Sequence, residues 1–283
     1  MRHVCLYHAG CPDGFGAAWA VRRAWGDAGH YRARGHEDAL DAAEYAGAEV
    51  VFVDIAPPTL ALRSLLGSAA RVVVLDHHVS SRDRYEGDPE LAGRVAQAGA
   101  RVHFDLEHSG AVLAWSHFHG DEPVPDLLAY VEDQDLWTWK LPRAREVNAA
   151  IASHPQTFEA WDALAATPWA RLADEGAPIV RAQTTEIRRA LLAAHPLWIG
   201  PHRVEAVNAI GQRAWIGHEL ATRAAFGVPC GAVYRVSGAR VDVSIYSIGD
   251  FDVAALAAAR GGGGHRNAAG FSMPLELWLR EHL

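Results

Sequence analysis

RVVVLDHHVSS, residues 71–81, sets an apolar, β-branched run directly against Asp76, His77 and His78. Such a run offers water no polar face, so it is expected to lie in a parallel sheet covered by helices on both sides. EVVFVDI (49–55) has the same character and carries Asp54 near its end; the shorter run 4–7 is followed by His8. Between these runs the spacing predicts helices over 13–25, entered through Cys11-Pro12-Asp13-Gly14, and over 57–66, opened by Pro57 and Pro58. The expected class is α/β with a parallel sheet.

Further along, the pattern becomes mainly helical, with helices expected over 110–119, 125–133, 158–166 and 179–194. This connector ends at His195-Pro196, so the domains are expected to be 1–195 and 196–283. Beyond it, β-like runs at 203–208, 230–236 and 240–245, a helix at 253–259 and the glycine run 261–264 make a smaller α/β domain.

Half of the 283 residues are hydrophobic and 21% are charged, the composition of a globular protein. A net charge of −8 argues against coating long duplex nucleic acid, which requires dense phosphate neutralisation, yet allows a small phosphate ester in a local pocket. Cys5, Cys11 and Cys230 have no paired spacing, the start has no leader-like stretch and no run reaches membrane-spanning length. A reduced, cytoplasmic protein is the expectation, with oligomeric state left open.

In an open parallel sheet the carboxyl ends of the strands converge on one edge, where ligands bind. One Asp there is commonly a cap or turn former. His8, Asp54 and Asp76-His77-His78 at three separate strand ends are harder to explain that way. Carboxylate and imidazole together suit Mn²⁺, Mg²⁺, Fe²⁺ or Zn²⁺. Two such ions about 4 Å apart can clamp an attacking hydroxide and a phosphoryl oxygen.

LDHHVSS resembles the signature of the DHH phosphoesterase superfamily. YHAGCPDGFGAAWA (7–20) is similar to its first motif, VFVDIAP (51–57) to its second and VEDQDLWTW (131–139) to its fourth. GGGGHRNAAGF (261–271) is similar to the glycine-rich motif of the DHH-associated substrate-binding domain, and the oligoribonuclease and cyclic-nucleotide phosphodiesterase branch is nearest in pattern. The resemblance implies a metal-dependent hydrolase of short oligonucleotides or cyclic nucleotides, with two divalent ions, Mn²⁺ first among them. It implies His8, Asp13, Asp54, His77 and Asp135 as ligands, with Asp54 bridging both ions and holding the nucleophilic water. Asp76 would orient its neighbours, and His78 would face the substrate phosphate. Asp133 is the alternative to Asp135; its other reading is a solvated acid at a helix end.

Two departures stand out. Cys11 occupies the place of a family Asp. It reads either as a thiolate ligand favouring a softer ion or as a small loop residue with water in the missing ligand's place; a hard-ion site favours the second. Tyr246, within VSIYSIGDFDV (243–253), stands where the family often has a substrate-gripping Arg, which keeps a polyphosphatase or pyrophosphatase in play. The other alternative is a non-catalytic nucleotide sensor. Gly262, Gly263 and Gly264 could form an anion nest, with donors added by His265 and Arg266. Trp137 and Trp139 read as core packing before nucleobase stacking, Ser109 as a helix N-cap, and Asn267 as either a turn former or a phosphate contact.

Overall fold

The computed structural model describes residues 1–35 and 38–282. The chain divides into two compact units, Met1–Val180 and Arg181–Leu283.

In the first unit the strands are β1 (His3–His8), β2 (Gly29–Arg34), β3 (Glu49–Val53), β4 (Arg71–Asp76) and β5 (Arg101–Phe104), all parallel in the order β2-β1-β3-β4-β5. Helices α1 (Pro12–Trp25), α2 (Thr59–Ser68), α3 (Val79–Glu86), α4 (Pro89–Gln97) and α5 (Gly110–His119) are interleaved with them, followed by α6 (Asp126–Asp135), α7 (Ala144–Ser153), α8 (Phe158–Ala165) and α9 (Trp169–Leu191). Alternate residues of the central strands enter two cores. Cys5, Val51, Val53, Val73 and Leu75 pack with Trp19, Ala111 and Leu128, while Val4, Leu6, Phe52 and Val74 pack with Leu62, Leu65 and Leu91. Both faces are thus covered, which is why these strands read as unbroken apolar runs.

The three central strands and the helices over 110–119 and 158–166 lie where the sequence places them. The helix expected at 179–194 is the later part of α9, which begins at Trp169 and accommodates Pro178. Strands β2 (GHYRAR) and β5 (RVHF) escape the apolar pattern because they are sheet edges with exposed polar positions.

The second unit contains β6 (His195–Ile199), β7 (His202–Asn208), α10 (Arg213–Arg223), β8 (Cys230–Ser237), β9 (Arg240–Ser247), α11 (Val253–Ala258), β10 (Gly263–His265), β11 (Ala268–Pro274) and α12 (Leu275–His282). Its sheet, ordered β10-β11-β9-β8-β7-β6, is antiparallel except for the β7–β8 pair. Leu197, Val204, Ala232, Ile245, Phe271 and Trp278 form its core. The architecture is α/β throughout, a parallel sheet followed by helices and a smaller mixed-sheet unit.

Candidate metal centre

Strand register brings the chemistry together. Tyr7 pairs with Val53 and Val53 with Leu75, so the next residues, His8, Asp54 and Asp76, emerge level at the carboxyl edge of the sheet. Asp54 adopts a left-handed backbone, φ +58°, a conformation Asp tolerates better than most side chains. This turn follows β3, and the carboxylate is 1% exposed.

Around Asp54 the donors close in. His77 Nε2 lies 3.1 Å from Asp54 Oδ1, 3.5 Å from Asp135 Oδ2 and 3.6 Å from Asp13 Oδ2. On the other side, His8 Nδ1 is 3.3 Å from Asp54 Oδ2. Two sets of three ligand atoms, each mutually within 4.8 Å, result: Asp13, His77 and Asp135, and His8, Asp54 and His78. His78 was expected to face substrate; its position also puts it within ligand reach of His8 and Asp54.

Local structure fixes each side chain. Asp13, in the first turn of α1, accepts hydrogen bonds from Gly110 N (2.7 Å) and Ala111 N (3.0 Å), two amides that the start of α5 leaves without helical partners. Ser109 caps that helix through Val112 N. Gly110 has to be glycine: a Cβ there would stand 2.4 Å from the Asp54 Cβ. Gly14 is similarly required, because a Cβ would reach 2.2 Å from the His8 carbonyl oxygen. Asp76 Oδ1 accepts from the amides of His77 and His78 and lies 2.7 Å from His78 Nδ1. That contact assigns the proton to Nδ1 and leaves Nε2 as the outward-acting nitrogen of His78.

Electrostatics reflect the crowding. Burial pushes the Asp13 carboxyl well above its usual range, and the charges of Asp54 and Asp135 push the same way. Partial burial lifts Asp135, whose side chain is 30% exposed, to about 6 against the pull of His77. Burial opposes charge on His77, but Asp54 beside it and the charges of Asp135 and Asp13 overcome this and raise it to about 10. Asp54 is itself buried, yet His77 and His8 hold it below the ordinary carboxylate range. Protons on Asp13, Asp135 and His77 therefore relieve a concentration of negative charge that a divalent cation could relieve instead. Asp54 Oδ1 is enclosed and accepts no hydrogen bond of good geometry, even with His77 Nε2 at 3.1 Å. Once His77 gives up its proton, two lone pairs face each other at that separation and suit a shared cation. The donor set fits divalent metal.

Asp133 and Asp135 separate cleanly. Asp133, expected as a solvated acid in its simpler reading, is 4% exposed and spends its oxygens on Thr138 Oγ1, Lys140 N and Leu141 N, holding the loop after α6. Asp135 is the one that meets His77. Trp139 packs against the first core. In the second unit, Gly263 to His265 form a strand laddered to β11, which differs from the nest expected of a glycine run. There Arg266 donates to the Asp250 carbonyl at 2.8 Å, and Asn267 takes the turn role, donating to Ser247 Oγ and the Gly249 carbonyl. The service of α5 to Asp13 is the part sequence reading missed; Ser109-Gly110 signals a helix start but not what that start faces.

No protein-family profile matches the chain. It is 25% identical over 296 residues to an uncharacterised protein, R106, of Acanthamoeba polyphaga mimivirus, across 95% of this chain and 67% of the viral one. Among solved structures, the pGpG-specific phosphodiesterase PggH of Vibrio cholerae matches with a TM-score of 0.50 at 11% identity, over 99% of this chain and 96% of that one. An exopolyphosphatase-related protein of Bacteroides fragilis matches with a TM-score of 0.43 at 11% identity, over 95% and 86%. The near-complete mutual coverage with PggH, together with the parallel sheet and the smaller mixed-sheet unit, shows that this chain shares the fold of that phosphodiesterase.

Proposed function

We propose that this chain is a metal-dependent phosphoric ester hydrolase acting on phosphodiester or phosphomonoester bonds of short oligonucleotides or cyclic nucleotides. The observation that carries the reading is the pair of donor groups at one sheet edge, Asp13, His77 and Asp135 beside His8 and Asp54, with Asp54 reaching toward both and His78 next to the second. Two divalent ions held there would supply Lewis acidity toward a phosphoryl oxygen and acidify water for attack.

The chain's own groups do the rest. Asp54 orients, through its two oxygens, the imidazoles of His77 and His8. The α5 amides aim Asp13 toward His77 and favour its ionised form, offsetting part of its burial. Asp76 fixes the His78 ring, and the His78 side chain is 14% exposed where that of His77 is 2% exposed. Of the two adjacent imidazoles, His78 is thus the one with access to a substrate phosphate, and Asp76 raises its proton affinity even though burial opposes the charge. A protonated His78 would donate to a phosphoryl oxygen and stabilise the charge that develops there.

The test is parallel assay of the purified protein with Mn²⁺, Mg²⁺, Fe²⁺ or Zn²⁺ on bis-p-nitrophenyl phosphate, pGpG, short RNA, cyclic nucleotides and polyphosphate. Metal-dependent cleavage of one of the nucleotide substrates is expected. Absence of turnover with every metal would refute the enzyme reading; cleavage confined to polyphosphate would transfer it to the polyphosphatase alternative.

A further inference from the structure

Cys11 sits where sulfur alters the chemistry of the centre. Its Sγ lies 3.6 Å from His8 Nδ1 and 3.4 Å from Asp54 Oδ2, and those two atoms are 3.3 Å apart. The three donors make a small, nearly equilateral triangle. We propose that Cys11 is a thiolate ligand of the ion held by His8 and Asp54, and that this ion is thiophilic, of the Zn²⁺ or Fe²⁺ type, in preference to Mn²⁺ or Mg²⁺. The proposal rests on the metal-dependent reading above and deepens it.

The argument is one of edge lengths. A tetrahedral ion with nitrogen and oxygen bonds of about 2.0–2.1 Å and a sulfur bond of about 2.3 Å separates its ligand atoms by roughly 3.3 to 3.6 Å, sulfur edges being the longer. The observed triangle has that size and that order, with the nitrogen–oxygen edge shortest.

Burial and the charges of Asp54 and Asp13 push the free Cys11 thiol well up, and the local backbone offsets part of this. Gly14 N donates to Sγ at 3.2 Å in the first turn of the fourteen-residue helix α1, so an amide and the positive helix end face the sulfur. Cys5 and Cys230 contrast with it, being buried among the apolar side chains of their cores. Without metal, Cys11 is a thiol directed at Asp54 Oδ2. On binding, the S–H bond breaks, its proton leaves to solvent and a sulfur–metal bond forms, with no change in oxidation state. Softness then decides between ions, since carboxylate and imidazole accept any of them but a thiolate discriminates.

Cobalt is the probe. Full-length protein loaded with Co²⁺ is expected to show a near-ultraviolet thiolate-to-cobalt charge-transfer band together with visible ligand-field bands. Cys11→Ser should lose the first and keep the second. Its Zn²⁺ affinity should fall by roughly tenfold or more with little change for Mn²⁺, and Cys11→Asp should shift preference toward Mn²⁺. In the unsubstituted protein, Zn²⁺ should slow alkylation of Cys11 by iodoacetamide, followed by peptide mapping, so this arm does not depend on the variants folding. Bound cobalt with no charge-transfer band, a band that survives Cys11→Ser, or alkylation indifferent to Zn²⁺ would each overturn the assignment and leave the hydrolase reading standing. Failure of Co²⁺, Zn²⁺ and Mn²⁺ alike to bind would overturn both.

Discussion

At the carboxyl edge of the first sheet, Asp13, Asp54 and Asp135 face His8, His77 and His78 with little to neutralise them beyond one another and the amides of α5. In the β10–β11 hairpin of the second unit Arg266 and Asn267 instead close on their own neighbourhood. Gly263 to His265 pair with β11, Arg266 reaches Asp250, and Asn267 ties the 247–249 turn. Both stretches are equally conspicuous as sequence. The difference lies in what their donors and acceptors have left to give: ionisable groups held together in burial need a counter-charge, whereas a hairpin with its bonds made is already satisfied. Asp133 and Asp135 repeat the contrast within one helix end.

The largest effect that could break this comparison is at Asp54. Asp54→Ala removes the carboxylate that meets both His77 and His8, and activity should fall by roughly 10³-fold or more, about 4 kcal/mol of transition-state stabilisation. Metal stoichiometry, read by elemental analysis, should fall with it. Full turnover in this variant would mean that the edge is a buried polar network and not a metal centre. Gly110→Ala follows. Its Cβ would drive Asp54 aside, costing about 1–3 kcal/mol of stability by overpacking. A displacement of this kind should lower kcat by roughly 10²-fold. Thermal denaturation and kcat measured together would expose an error if either were unmoved.

Much of the first region is legible in sequence for a physical reason. Strands buried on both faces must be apolar along their whole length, so β3 and β4 announce themselves, and parallel register then sets the residues that follow them side by side. The edge strands β2 and β5 are hidden because one side of each faces solvent and tolerates Arg and His. Gly110 is hidden for another reason: its role depends on Asp54, about fifty-five residues away in the chain, which no local pattern encodes. The glycine run misleads because its composition suits both a nest and a strand, and only pairing with residues 268–270 decides between them.

The two acids at the end of α6 offer a sharper division. Asp133→Ala should lower stability by about 2–3 kcal/mol, since it strands three donors of the 138–141 loop. Asp135→Asn should leave the melting temperature near the parent value and weaken metal binding. An exchange of those outcomes in denaturation and metal titration would reverse the two roles. The pH dependence of metal binding is a gentler probe. Asp135 holds a proton below about pH 6, Asp13 keeps one well above the usual carboxylate range, and His77 holds one up to about 10. A cation must displace them, so affinity rises with pH. The slope should be at least tenfold per unit between pH 6 and 8, where the cation displaces the His77 proton, and steeper below 6. Calorimetry in two buffers of different ionisation enthalpy counts the released protons; a flat profile would contradict the shared-charge account.

The smallest effect is expected in the second unit, at Arg266. Its guanidinium donates to the Asp250 carbonyl and stands 3.2 Å from the Asp250 carboxylate, with the Arg side chain 55% exposed and that of Asp250 fully exposed. Water and salt screen such a pair, so Arg266→Gln should leave the melting temperature essentially unchanged. The kinetic readout then decides whether this side chain serves only its own turn. If it does, KM for a nucleotide substrate stays within about twofold of the parent value, because no uniform binding has been removed. A tenfold rise in KM at constant kcat would instead mean that the guanidinium leaves Asp250 for a phosphate. The hairpin would then join the sheet edge as a region whose charge is reserved for a ligand, and the contrast between the two would narrow to one of exposure.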